Sequence, residues 1–308
     1  MQPFVGIAFR IASALAFTMM ATSIKYVSVR YPVGQIVFFR SFFALIPLLV
    51  WLAWSDHIVN ALRTHNLRGH VLRSVINATG MICGFMALAY LPLSDAIAIG
   101  YASPLIVVAL AAIILKETVR AYRWSAVGVG FAGVILMVTP QFGVVSPELA
   151  DASRATGAML AIAAAFFSAI GAIQVRRLTE TERTGAIVFY FSMITTLIGL
   201  ASALLGWNMP DATDFAILVF AGFCGGIGQI LLTQSYRYGD ASLIAPFEYT
   251  SMIWAVAFGW IVFDQLPESA VIGGAAIVIS AGVFVIWREH QLGIARRNAL
   301  EIAAKRSL

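Results

Sequence analysis

LPLSDAIAIGYASPLIVVALAAIILKE, residues 91–117, decides the fold. From Ala96 to Leu115 it carries no charged side chain. A helix needs about 20 mostly apolar residues to cross a hydrocarbon core of about 30 Å. A membrane β-strand would show as a segment of about 10 residues with alternating polarity. This run is twice that length and unbroken. Ser94 and Asp95 precede it as good N-cap residues, Lys116-Glu117 close it, and Pro104 interrupts it. The stretch is therefore read as a membrane-crossing helix.

Nine more runs of the same kind lie on either side, giving ten predicted spans at 6–24, 34–54, 71–91, 95–115, 122–140, 157–175, 185–206, 215–236, 241–263 and 270–287. The longest remaining pieces, the loops 55–70 and 141–156 and the tail 288–308, are too short to build a core. Composition agrees: of 308 residues 60% are hydrophobic and 11% charged, and mean hydropathy is +0.88. Soluble domains carry about 25% charged residues, so a soluble protein is excluded. Two cysteines exclude a disulfide scaffold. Residues 1–9 bear no charged side chain and the first apolar stretch has full spanning length, so it is read as an uncleaved helix and not as a signal peptide. The fold class is an all-α integral membrane protein.

Fifteen of the twenty Lys and Arg residues fall on one side of this topology. Lys25, Arg30 and Arg154 lie on the other side, while Arg10 and Arg40 lie within spans. The positive-inside rule assigns the basic side to the cytoplasm, and ten crossings then put both termini there. The isoelectric point near 9.4 follows from this asymmetry, so no nucleic-acid partner is implied. The bilayer itself is the partner that the basic face suits. The pattern also leaves room for a homodimer.

Loop lengths recur between spans 1–5 and 6–10, as do local features. Asp240 precedes span 9 as Ser94-Asp95 precede span 4; Asp264-Gln265 end span 9 as Lys116-Glu117 end span 4; Pro246 interrupts span 9 as Pro104 interrupts span 4. Five spans per half is an odd number, so the second half inserts upside down. Two repeats are expected, 6–140 and 157–287, followed by a cytoplasmic tail at 288–308. Inverted repeats are a signature of secondary transporters, whose substrate site lies near the midplane between the halves.

Together with APFEYTSMIWAVAFGWIVF at 245–263, the stretch 91–117 resembles the EamA-type repeats of ten-helix members of the drug/metabolite transporter superfamily. The resemblance covers Gly6 to Arg288. It implies movement of a small metabolite through a bacterial inner membrane; amino acids, drugs, vitamins and nucleotide-like compounds all travel on this scaffold. YPVGQIVFFRSFFALIP at 31–47 and YRWSAVGVGFAG at 122–133 look most like the riboflavin-uptake branch, which implies riboflavin import. Export of amino acids or drug-like compounds is the alternative. Asp264-Gln265 stand where the repeat usually has Gly-Glu.

Ionisable groups inside a membrane are costly and are functional hypotheses by default. Glu248 is read as the only carboxylate well inside a span, a proton-coupling acid or an acceptor for substrate. Arg40 lies six residues into span 2. At 1.5 Å per residue it sits about 9 Å deep and Glu248 about 12 Å in from the other side, which leaves roughly 9 Å between them along the normal of a core of about 30 Å. Arg10 and Lys25 lie near span ends and are expected to snorkel. Pro104 and Pro246 each free a carbonyl that can face a cavity. Asn77 and Gln229 can line a path or hydrogen-bond between helices. Tyr101, Tyr249 and Trp254 can stack on a planar ring.

Other patterns carry no chemistry. The GxGxxG at 128–133 lies inside a span with no preceding strand, and close helix packing explains it and the glycines at 222, 225, 226 and 228. The four histidines are placed in cytoplasmic segments without metal-ligand spacing, Cys83 and Cys224 are read as small buried thiols, and no P-loop is present. No catalytic set, no metal and no cofactor is expected, which excludes an intramembrane enzyme.

Overall fold

The computed structural model describes residues 3–55, 63–114, 121–142, 152–179, 181–238 and 245–306. Among them there are helices and no strands. In chain order they are α1 (Pro3–Val27), α2 (Val33–Ser55), α3 (Leu67–Tyr90), α4a (Leu93–Gly100) with α4b (Ala102–Ile114), α5 (Ala121–Val138), α6 (Ala152–Thr179), α7 (Thr184–Ala201), α8 (Ala212–Tyr238), α9 (Thr250–Phe263) and α10 (Ser269–Arg306). Among the described residues eight helical spans are long and apolar enough to cross a bilayer, and Phe247–Phe263 and Ser269–Val285 are shorter apolar helices. The ten-helix membrane architecture follows. α10 runs on as helix through the residues expected to form a tail, to Arg306.

Helix ends follow local chemistry. Asn66 caps α3, its Oδ1 accepting from the Gly69 amide at 2.9 Å. α9 ends at Asp264 in the left-handed region, φ 53°, and the amides of Asp264 and Gln265 each donate at 3.0 Å, to Trp260 O and Gly259 O. That conformation favours glycine, which is what the resembling repeats carry there. Ser94 and Asp95 are not caps. Pro92 takes the cap position with its fixed φ, so both side chains fall inside the first turn of α4a and are buried. Asp240 lies outside the described residues.

Small residues let the helices close up. Ala158, Ala161, Ala165 and Ala169 form one buried face of α6, set against α3 and α4b. α8 approaches α1 through Gly225 and Gly228, and Ser13 Oγ donates to Gly228 O at 2.8 Å. α8 also meets α2 through Gly222 and Gly226, the latter against the Pro47 ring. The helix pairings recur five helices on: α1 packs on α8 as α6 packs on α3, and α2 with α7 and α5 with α10 map onto themselves.

Two of the GxGxxG glycines belong to this packing, Gly130 against Leu105 and Gly133 against α10, whereas Gly128 faces open space, so close packing does not explain it. A Cβ on Gly274 of α10 would meet Met137 Cγ and lie 2.5 Å from Gly133 O of α5. Gly274→Val should therefore lower the stability of the detergent-solubilised chain by about 1–3 kcal/mol through overpacking. Gly273→Ala, whose Cβ would meet Leu136 only at 3.7 Å, is the control. Equal unfolding midpoints for the two variants would refute the backbone contact.

Two sequence expectations fail at side chains near the basic end. His70, expected in an interhelical segment, is fully buried in α3, with Nε2 3.4 Å from Glu182 Oε2. Arg73, counted with the basic loops, is also buried in α3, where Nη1 donates to Ile187 O at 2.7 Å. Both lie on turns of α3 that pack against α7 rather than preceding the bundle. Cys224 is buried as expected; Cys83 is half-buried.

Candidate functional site

The site grows from two interruptions. α4a stops at Gly100, Tyr101 makes a turn, and α4b restarts at Ala102 with Pro104 in its first turn. A proline lacks the amide proton and crowds the carbonyl four residues back, here that of Gly100. The expected kink at Pro104 is thus a break three residues upstream. Pro246 does not lie within α9 at all: it sits in a 3-10 turn, Ala245–Tyr249, that leads into the helix. At that position its missing donor is tolerated, since first-turn amides have no intrahelical acceptor.

The two interruptions meet. The Tyr101 and Tyr249 rings are edge to face at 5.2 Å, and Tyr101 Oη lies 2.6 Å from Ser251 Oγ. Beside them opens a cavity of about 740 Å³ lined by α1 (Arg10, Thr18), the α4 break (Tyr101, Ser103, Pro104), α6 (Ser168), α8 (Leu232) and the start of span nine (Glu248, Ser251). A second chamber of about 390 Å³ shares Ala21, Ile97, Gly100, Ser103 and Ser168 with it and extends past Asn77 to Leu88. The walls are apolar and small, with a few hydroxyls.

One ion pair crosses this cavity. Arg10 Nη2 lies 2.7 Å from Glu248 Oε2. The Arg10 side chain is 6% exposed and that of Glu248 is 50% exposed, so the cation is held in the wall and the carboxylate faces the open part. Arg10 therefore does not snorkel; its position seven residues into α1 turns it onto span nine. It was not among the candidate residues, and the signal for it was its depth. Glu248 pairs with Arg10 and makes no ion pair within 4.0 Å with Arg40, in keeping with the separation expected between those two.

At the end opposite the basic face, polar ties close the bundle. Lys25, also expected to snorkel, donates from Nζ to Leu88 O at 3.1 Å and Leu91 O at 2.5 Å and lies 5.4 Å over the Phe263 ring. Arg30 and Tyr31 both bind Asp214 Oδ2, at 3.0 and 2.8 Å. Arg154 pairs with Glu268 at 2.8 Å. Asp95, which the sequence reading set aside as a cap, is fully buried and accepts from Ser94 Oγ and Gln141 Nε2, both at 3.1 Å. Asp95 is thus a second buried carboxylate of the helical bundle, in the first turn of α4a.

The remaining candidates are dispersed. Asn77 lines the second chamber, against Gly171 of α6. Arg40 and Gln229 line a separate cleft of about 10 Å³ between α2, α7 and α8. Tyr249 reaches Gly282 of α10 with its hydroxyl. Trp254 lines neither chamber, and its Nε1 is buried without a hydrogen-bond partner. Among the described residues no group of three or more His, Cys, Asp or Glu is placed to hold a metal.

Comparison with known proteins fits this geometry. The EamA-like transporter family matches residues 4–139 and 155–288. A protein named S-adenosylmethionine uptake transporter from Rickettsia prowazekii is 28% identical, the match covering 93% of this chain and 94% of that protein. A pseudopaline exporter of Pseudomonas aeruginosa is 28% identical over 90% and 94%. A riboflavin transporter of Vibrio cholerae is 28% identical over 96% and 98%. A solved structure described only as the crystal structure of a protein superposes with a TM-score of 0.65 over 93% of this chain and 98% of that one, at 16% identity, a likeness of fold. These relatives are named as transporters and not as enzymes. With a central cavity among ten membrane helices and a family match spanning nearly its whole length, the chain belongs to the EamA-like transporter family and is a multi-pass membrane transporter of a small molecule.

Proposed function

We propose that the chain is a secondary transporter or facilitator that takes up riboflavin across the bacterial inner membrane by alternating access between two inverted five-helix halves. The observation that carries this reading is the two-chambered cavity at which the α4 break and the lead-in to α9 meet. Secondary transporters place their substrate site at such interrupted helices near the midplane. The recurring helix pairings support the repeats at 6–140 and 157–287. The basic face is cytoplasmic by the positive-inside rule, and both termini lie there. Glu248 faces the open cavity while Lys25, Asp214 and Glu268 are engaged at the other end, which supports a conformation open on the basic, cytoplasmic side. The cavity is bounded within one chain among the described residues; a homodimer would associate through outward helix faces.

Riboflavin suits the site as a planar, neutral, hydroxyl-bearing molecule. Tyr101, backed edge to face by Tyr249, offers an aromatic surface in the cavity wall, and Ser103, Ser168, Ser251 and Asn77 offer hydrogen bonds. The Vibrio cholerae riboflavin transporter matches nearly end to end. The second reading is export of an amino-acid-like metabolite. It is favoured by the Arg10–Glu248 pair, which can exchange partners with a zwitterion, and by the likeness to the pseudopaline exporter.

Tracer riboflavin uptake by a bacterial strain that neither makes nor imports the vitamin decides between them. Expression should raise uptake several-fold over an empty vector, and excess unlabelled flavin should compete. Protein present in the membrane without uptake would overturn the riboflavin reading. Export would then be tested by protection of the same cells from a toxic amino-acid analogue.

A further inference from the structure

Arg40 on α2 and Arg73 on α3 are each 7% exposed, deep in the bundle. Their guanidinium carbons lie 5.9 and 4.9 Å from the centre of one ring, that of Phe191 on α7. Arg10, Arg30 and Arg154 each have a carboxylate partner; Arg40 and Arg73 have none within 4.0 Å among the described residues. The Nε of both is buried without a hydrogen-bond partner, while Arg73 Nη1 holds Ile187 O. Two buried like charges without a counter-ion are a costly arrangement, and the face of one phenyl ring offsets only part of it. The guanidinium fork matches the geometry of a carboxylate or phosphoryl group.

Phe191 is also a wall of the second cavity chamber and of the small cleft where Arg40, Ser192 and Gln229 meet. At about 10 Å³ that cleft holds roughly one water, so an oxyanion enters only if the ring turns. Phe191 is the one residue common to the linings of cleft and chamber, and Asn77, one turn beyond Arg73 on α3, lines the chamber side. We propose that Arg40, Arg73 and Phe191 form a gated oxyanion subsite beside the main cavity, which takes the carboxylate or phosphoryl group of a transported substrate. This rests on the transporter reading but not on riboflavin as substrate, and it extends the substrate range to anionic metabolites.

The test uses the full chain in detergent. Thermal unfolding is followed while inorganic phosphate, or acetate as the carboxylate probe, replaces chloride at constant ionic strength. A saturable rise of the unfolding midpoint in the wild type is expected with at least one of the two. It should be lost in Arg40→Gln and in Arg73→Gln, and Phe191→Leu should lower the half-saturating concentration several-fold. No saturable rise in the wild type overturns the subsite, whatever the variants do. A rise that persists in both glutamine variants overturns the assignment of the residues. Because no flavin enters this measurement, a failed riboflavin uptake assay leaves it standing, and the reverse holds too.

Discussion

Glu248→Gln should lower transport more than tenfold while the protein still reaches the membrane. Arg10 is held almost completely out of solvent, with its ionic partner Glu248 2.7 Å away and its Nε without a hydrogen-bond partner among the described residues. Breaking a buried pair by removing one member costs about 3–5 kcal/mol, because the other charge is left uncompensated. Here the Glu248 side chain is half exposed to the cavity, so water screens part of that and about 2 kcal/mol is the better figure. That cost falls on the conformation with the pair formed, and each 1.4 kcal/mol is a factor of ten. Arg10→Gln alone should be milder on folding, since the remaining carboxylate can hydrate. The double variant Arg10→Gln/Glu248→Gln separates structure from function. It should recover most of the thermal stability lost in Glu248→Gln yet regain little transport. Transport at wild-type rate in the double variant would reduce the pair to a strut between α1 and span nine.

The fold was legible because its cause is compositional. Residues 91–117 hold twenty consecutive uncharged positions, and in a bilayer that admits a helix and little else. Nine similar runs then left only the order of crossing to settle. The glycines of 222–228 were also readable as packing devices, and Gly225 and Gly226 lie against neighbouring backbone or side chains as expected, as do Gly130 and Gly133; Gly128 faces open space and was misread as one of them. The site was less legible, because sequence gives depth along a helix but not the direction a side chain faces when lipid and core are equally apolar. Arg40 and Arg10 are both intramembrane arginines; only the rotation of α1 turns Arg10 onto Glu248, and only the rotation of α2 turns Arg40 onto Phe191. Asp95 was mistaken for a cap because a polar residue before an apolar run has two readings. Pro92, three residues earlier, was the signal that the helix had already begun.

Lys25→Met should open the end opposite the basic face. The ammonium ties two carbonyls at the α3 end, those of Leu88 and Leu91, to α1 and lies over Phe263 at the end of α9, so three helices from both halves converge on one charge. Methionine keeps the apolar stem and removes both hydrogen bonds. A hydrogen bond to a charged group is worth about 1.5–3 kcal/mol, and hydration of the freed carbonyls returns part of it, leaving about 2 kcal/mol against the closed arrangement. Such a change shifts a two-state population by roughly thirtyfold. With Cys83 and Cys224 replaced by serine, Ser103→Cys places one thiol in the wall shared by both chambers. A membrane-impermeant maleimide applied from the face opposite the basic one should modify that thiol at least tenfold faster when Lys25→Met is added. Unchanged labelling would show that Lys25 does not hold that end shut. Uptake should fall in the same variant despite the easier opening, because a transporter that favours one facing state leaves the return step with a higher barrier. Faster uptake would instead mean that release of Lys25 limits the wild-type cycle, which would make this clamp the slow gate of the protein.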